Sequence, residues 1–331
     1  MSLAVVNPAA NRTASPAPFI VACLGVIALA AILAGAAPIW FSIATVFLFA
    51  GPHNWFEARY MLGRMPARWR PFGGYYLFGI AGVVILSAII AALPYLPLDY
   101  DAWLLFIAAW NAALIAWVAT LAVLRTQQRP RRDWPWVIPV ALVLIGLNWL
   151  QPLTFFLGMV YAHPLMALAF LDREIARRKP AWKIAYRGCL LCVPVAMLAL
   201  TFALAGRPNL LGNDLTEQIT RHAGGTILTG VSNHLLVALH TFLEMLHYGV
   251  WLVALPLLAT KALPWQVDRA PLAAKGPRWK AAVLAAVALG GVVLLMLWGA
   301  FLFDYPTTRN VYFTIAMLHV LAEAPFLIRL L

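Results

Sequence analysis

Residues 281–303 read AAVLAAVALGGVVLLMLWGAFLF, an apolar run of 23 positions without a charge. At 1.5 Å per residue a helix of that length reaches about 34 Å, enough to cross roughly 30 Å of hydrocarbon. Lipid offers no partner to an unpaired backbone N–H or C=O, so a chain inside it must be helical or close into a barrel. Barrel strands are shorter and alternate apolar with polar residues. This run does neither, and it reads as a membrane helix.

Comparable runs lie near 19–36, 38–58, 74–96, 102–124, 135–150, 152–171, 186–206, 230–260 and 309–328. The one at 230–260 is too long for a single upright span, so it tilts or begins outside the bilayer. Composition agrees: 63% of the 331 residues are hydrophobic and 11% are charged, where a soluble domain carries about 25% charged residues. Mean hydropathy is +0.84. The sequence therefore predicts an all-α, polytopic integral membrane bundle of about ten helices. It forms one transmembrane domain over residues 1–331, with no soluble domain. Met1–Ala17 contains one basic residue, Arg12, and no apolar stretch of its own. The expectation there is a short cytoplasmic segment before an uncleaved signal anchor, not a cleaved signal peptide.

The basic residues predict orientation. Arg59, Arg64, Arg68 and Arg70 fall in one inter-span loop, and Arg125, Arg129, Arg131 and Arg132 in a second. Six more lie between Arg173 and Arg187, and five between Lys261 and Lys280. With Arg12 and Arg329 these loops hold 21 of the 24 Lys and Arg, while the alternate loops hold Arg207, Arg221 and Arg309. Positively charged loops stay in the cytoplasm, so both termini are expected inside and the number of spans even. The implied location is a bacterial-type cytoplasmic (inner) membrane. The formal net charge of +12 reports this topology and does not form the clustered basic face of a nucleic-acid-binding domain, so no nucleic-acid partner is expected. Three cysteines, Cys23, Cys189 and Cys192, sit in apolar surroundings and do not make a disulfide framework.

Ionisable residues inside spans are costly and mark function. Here they follow a pattern. His53-Asn-Trp-Phe-Glu57, His240-Thr-Phe-Leu-Glu244 and His319-Val-Leu-Ala-Glu323 are three copies of H-x-x-x-E in a chain with five glutamates. Chance placement gives about 0.1 such pairs. On a helix, positions i and i+4 share a face. His247 lies close to the same stripe as His240 and Glu244, and Glu244-Met-Leu-His247 has the E-x-x-H spacing of di-iron carboxylate bundles. His53, His163, His247 and His319 lie on spans running the same way, at depths that agree within roughly 8 Å. They can meet inside the bilayer.

Mixed imidazole and carboxylate ligands with open positions suit redox-active iron, and less specifically manganese, copper or zinc. The expected metal ligands are His53, His163, His240, Glu244, His247 and His319, holding a mono- or dinuclear transition-metal centre, iron first. Glu57 and Glu323 are expected as catalytic, proton-handling groups, and any of the glutamates can instead orient a ligating imidazole. Glu244 is favoured as a ligand beside His247, whereas His222 and His234, near the outer 207–229 loop, are left out. A proton or ion pathway through the same residues, or polar packing alone, would use the pattern differently.

Three stretches carry a family resemblance. GPHNWFEARY (51–60), LHYGVWL (246–252) and LHVLAEAPFLI (318–328) together resemble motifs of the Brp/Blh family of bacterial membrane β-carotene 15,15′-dioxygenases. That resemblance implies a helical membrane fold, a non-haem iron held by histidines, and His53 and His247 as iron ligands. The chain departs from that family in motif order, lacks histidines paired four apart, and carries the H-x-x-x-E repeat instead. The H-x3-H and H-x2-H-H boxes of membrane desaturases are absent. Together these readings predict a membrane metal oxidoreductase or oxygenase acting on a lipophilic small molecule such as an isoprenoid that enters from the lipid bilayer. The rivals are a proton- or metal-coupled transporter and a membrane assembly factor that holds a metal or haem transiently.

Overall fold

A computed structural model of the chain describes residues 15–65, 73–128, 134–259, 267 and 270–330. Arg12, Arg68, Arg70, Arg129, Arg131, Arg132, Lys261 and Arg269, used above for orientation, lie outside them. The described residues form helices and no strand: α1 Ala17–Ala36, α2 Pro38–Arg64, α3 Gly73–Ala92, α4 Tyr100–Gln128, α5 Val137–Leu150, α6 Pro152–Arg178, α7 Lys183–Leu204, α8 Asp214–His222, α9 Asn233–Gly249, α10 Leu255–Ala259, α11 Pro277–Phe303 and α12 Tyr305–Leu330. A π turn, Val250–Ala254, joins α9 to α10 in one rod.

Every apolar run of the sequence falls on a helix. Eight helical rods are long and apolar enough to cross a membrane: α1, α3, α4, α6, α7, the α9–α10 rod, α11 and α12. The other two expected spans differ from these for visible reasons. Helix α2 is as long as α11, but its buried face carries Ser42, Thr45, His53 and Glu57. Helix α5 is apolar but has 14 residues, about 21 Å of rise.

Prolines at the first turns of α2, α6 and α11 are preset for helix and lose nothing there, because those N–H groups have no intrahelical acceptor. Single residues, Ala37 and Gln151, turn α1 into α2 and α5 into α6. Asp304 opens α12 by accepting the Thr307 N–H at 3.1 Å, and the Thr307 side chain first and this bond second hold its carboxyl below the usual carboxylate range.

The α9–α10 rod sits at the centre. Leu235, Ala238, Phe242, Leu243 and Leu246 pack into α1 and α7, and Val250, Trp251 and Leu255 pack against α2 and α6. Around this core, polar pins replace the hydrophobic drive that lipid removes. Trp298 Nε1 donates to Phe47 O at 2.9 Å and Trp55 Nε1 to Val287 O at 3.0 Å, tying α11 to α2. Trp117 Nε1 donates to Phe78 O at 3.2 Å across α3 and α4. Its indole fits only because residue 82 is glycine: a Cβ there would lie 1.9 Å from Trp117 Nε1. Asn111 donates to Asn148 Oδ1 at 2.7 Å and to Pro152 O at 3.0 Å, and Asn148 donates to Ala108 O at 2.8 Å. Both asparagines serve packing of α4, α5 and α6.

The two ends of the bundle differ. At one end the C-terminal turns of α2, α4, α6 and α12 converge. Glu174 accepts from Tyr60 at 2.7 Å, from Arg177 at 2.8 Å and from Arg64. Arg125 donates to Arg329 O at 2.8 Å, and Arg329 to Arg64 O at 3.1 Å and to the Tyr76 hydroxyl. Arg187, near the start of α7, forks onto Asp172 at 2.8 and 2.9 Å. Basic groups at the ends of separate helices thus meet at one face. Helix α8 caps the other, with Ile219 and Ala223 buried against Leu236 and Val237 of α9.

Candidate metal centre

The four histidines expected at one depth close into a ring. His53 comes from α2, His163 from α6, His247 from α9 and His319 from α12. Going round, ring centroids are 5.2 Å apart for His53–His247, 4.6 Å for His247–His163, 5.2 Å for His163–His319 and 5.2 Å for His319–His53. The His247–His319 diagonal is 6.5 Å. An imidazole ligating at about 2.1 Å puts its centroid about 3 Å from the metal, so rings sharing one ion lie roughly 4.5 to 6.5 Å apart. The observed ring spacings are of that size, but the donor atoms converge in two groups, with His163 standing beside His247 and not with His53 and His319.

Local chain chemistry sets the rings. Pro52 has no N–H, so the helical ladder of α2 is broken one residue before His53. The His53 Nδ1–H donates to Phe49 O at 2.9 Å, which leaves Nε2 with a free lone pair. His163 is followed by Pro164 inside α6. His247 stands just before the π turn at 250–254, a device that often re-aims side chains at functional sites.

Carboxylates follow one helical turn towards the charged end. Glu57 shares a convergent set with His53, His247 and His319, and Glu323 a second set with His163 and His247; donor atoms within each lie within 4.8 Å of one another. Glu323 Oε2 is 3.2 Å from His163 Nδ1, and Trp251 Nε1 donates to Glu323 Oε1 at 3.1 Å. His247 belongs to both sets, so the chain offers one metal position or two adjoining ones. Below lies an aromatic layer: Tyr60, Phe170 and Trp251, all buried, touch ring to ring at 5.3 to 5.9 Å, with Trp251 donating to Glu323 on one side and Tyr60 to Glu174 on the other.

The fit of a cation can be tested on unsatisfied atoms. Both nitrogens of His247 and His319, both oxygens of Glu57, and Glu323 Oε2 are buried without a hydrogen-bond partner. Buried polar groups are normally paired, and each orphan costs free energy. Each neutral imidazole has one N–H and one lone pair, and lone pairs of imidazoles and carboxylates brought together from several helices without hydrogen-bond partners fit a bound metal ion.

Not every expected residue joins this ring. His240 and Glu244 form a separate convergent set with His222, the last residue of α8. Glu244 therefore pairs with His240, one turn before it, and is kept apart from His247. The stripe expected to hold all three is one helix face whose two ends reach different neighbours. His222, absent from the sequence-based site, faces His240 with centroids 5.0 Å apart. Burial, His240 and Arg309 push its imidazole well below the ordinary range. His234 joins no convergent group among the described residues, nor do Cys189 and Cys192, which remain free thiols. Trp251, Tyr248 and Tyr312 also stand at the ring without a signal in the sequence; nothing in their spacing separates them from the chain's other aromatics.

A cavity of about 300 Å³ lies between the two sets, walled by Ile90, Phe156, Met159, Phe313 and Met317 as well as the histidines. Two apolar grooves abut it. One, about 480 Å³ between α4, α5, α6 and α12, shares Met159 and Val320 with it. The other, about 680 Å³ between α2, α11 and α12, shares Tyr312, Ala316 and His319.

No family model, curated protein or solved structure matches the chain.

Proposed function

We propose that this chain is a non-haem metal oxidoreductase or oxygenase of a bacterial-type cytoplasmic membrane, with iron as its metal and a lipophilic substrate such as an isoprenoid. In this reading α2 and α5 also cross the bilayer, making ten spans with both termini in the cytoplasm. The gathering of Arg64, Arg125, Arg177 and Arg329 at one face supports that orientation.

The ring of His53, His163, His247 and His319 beside a mostly apolar cavity carries the proposal. A redox-active metal held there supplies Lewis acidity and electron transfer to dioxygen chemistry. His53, His247 and His319, or His163 and His247, would hold it, and Glu323, whose Oε2 lies 3.2 Å from His163 Nδ1, would add a ligand or a charge beside that ring. Glu57, with two free carboxylate oxygens, carries protons at the inner edge of the ring. The Tyr60–Phe170–Trp251 layer keeps bulk water out from the charged end. Ile90, Phe156, Met159 and Met317 bind hydrocarbon, and the adjoining grooves give a lipid tail a sideways route. The resemblance to the Brp/Blh dioxygenases points the substrate class towards isoprenoids.

One observation favours a proton- or metal-coupled transporter instead. Polar groups follow one another from His222 through His240, Glu244, the histidine ring, Glu57 and Glu323 towards Glu174. In the aromatic layer Trp251 bonds Glu323 and Tyr60 bonds Glu174, but the two meet each other only ring to ring, and that apolar step in the line favours the enzyme. Lipid extracts of expressing cells, compared by mass spectrometry with and without dioxygen, test it. An isoprenoid or other lipid should be converted only in air, and His319→Ala should abolish the conversion. An unchanged lipid profile, together with ion flux in proteoliposomes that His319→Ala blocks, would replace the enzyme with the transporter.

A further inference from the structure

The three residues His222, His240 and Glu244 form a convergent set of their own at the outer end of the cavity. His240 and His247 are seven residues apart on α9, about 10 Å along the axis, so this set is not an extension of the histidine ring. We propose that it is a second, independent metal site for a first-row divalent cation, and that the bound ion fastens α8 onto the bundle.

The donor atoms of the three side chains lie within 4.8 Å of one another. His240 is 5% and Glu244 8% exposed. Glu244 Oε2 is 3.5 Å from His240 Nδ1, outside hydrogen-bond geometry, and has no other partner. The nearby arginine does not explain the carboxylate. Arg309 places its guanidinium 4.6 Å over the Phe313 ring, its Nε finds no acceptor, and Glu244 points to the histidines instead. Two imidazoles and one carboxylate, all lone-pair donors facing a cavity, match a site of two histidines and one carboxylate with open positions.

Connectivity gives the site its consequence. His240 and Glu244 belong to α9, whereas His222 ends α8 and is the one ligand from the segment joining α7 to α9. Helix α8 otherwise rests on an apolar patch, Ile219 and Ala223 against Leu236 and Val237 with Ile39 and Ile43 of α2 beside them, and on the His222 ring against Phe313 at 4.2 Å. The Tyr161 hydroxyl reaches Ala223 O at 2.9 Å and Leu236 O at 3.0 Å. A cation bridging His222 to the α9 pair ties that segment down over the mouth of the cavity. An ion here is independent of the one proposed for the histidine ring, and either site can exist without the other.

Cobalt(II) titration of the full-length chain tests this, with ligand-field absorption reporting His and carboxylate coordination. The wild type should bind cobalt in two classes. His222→Ala should remove one class, and so should the isosteric Glu244→Gln, which keeps the shape of the site should His222→Ala disturb α8. His319→Ala should remove the other class. Limited proteolysis of the 207–232 segment gives a second reading. Cobalt at ten times its dissociation constant should slow cleavage about tenfold in the wild type and in His319→Ala. It should give no protection in His222→Ala or Glu244→Gln. Full cobalt stoichiometry in both of those variants would overturn the proposal. So would folded His222→Ala and Glu244→Gln proteins that lose both classes together, because the two sets would then be one site. Loss of the first class alone, with His319→Ala unaffected, would keep this site and sink the ring.

Discussion

The rod over Asn233–Leu258 and the helix Pro277–Phe303 have 26 and 27 residues, yet their surroundings are opposite. The rod has a mean hydropathy of 1.4 and 56% of its central stretch is buried; the helix has 2.5 and 11%. In water the more apolar of two helices goes inside. Here the more apolar one faces out, because lipid tails are as good a solvent for leucine as another helix is. What needs the interior is His240, Glu244 and His247, which lipid cannot accommodate without cost. In this bundle polarity, and not apolarity, marks the core.

That contrast can be broken most sharply at its polar end. His247→Ala should weaken metal binding by more than about 100-fold, since replacing groups that merely orient a ligand costs about 10–100-fold. Elemental analysis of protein purified without chelators checks it; wild-type metal content would reduce the rod's polar face to packing. Acidification should act in the same direction. Imidazoles ligate only when neutral, so protons compete with the metal; burial disfavours the imidazolium, so occupancy should hold through the range where a free histidine titrates and fall only in stronger acid. Dialysis at each pH followed by metal analysis reads this, and loss of metal already between about pH 7 and 6 would point to exposed ligands instead. Glu323→Gln should retain metal at saturation but bind it about tenfold more weakly, having lost the charge beside His163 Nδ1. Competition with a chromophoric chelator measures it. The smallest effects compare the two helices directly. Ala238→Leu overpacks a fully buried position and should cost about 1 kcal/mol. Leu289→Ala, 65% exposed on α11, should change stability by less than about 0.5 kcal/mol. Unfolding in mixed micelles compares them, and equal losses would mean that α11 is covered by protein.

The helices are legible because each apolar run is long and bounded by Pro, Gly or charge. Their ends are less so: the runs at 38–58 and 152–171 continue to Arg64 and Arg178, where arginines extend the helix past the lipid and find Glu174. The meeting of His53, His163, His247 and His319 is legible from depth and direction alone. Partner choice is not. Spacing makes Glu323 the mate of His319, four residues before it, but it faces His163 on α6, since the next turn of α12 is aimed by inter-helix packing and by Trp251. His222 carries no signal, because a short helix in a loop has no depth to compare. The π turn after His247 is also invisible in sequence, where VWLVA reads as ordinary helix.

Helix α12, which closes the ring, is made after α2, α6 and α9. Glu57 leaves the ribosome some 260 residues before Glu323, and at roughly 5–20 residues per second that interval is on the order of 10 to 50 seconds. Through it α2 presents His53 and Glu57 beside neighbours that supply one wall or two, but never the wall carrying His319. Biosynthesis thus leaves the polar heart of the protein open until α12 arrives. A ribosome stalled before residue 305 would expose a nascent chain whose buried histidines and carboxylates are still waiting for their counterparts, and membrane quality control would meet it in that state.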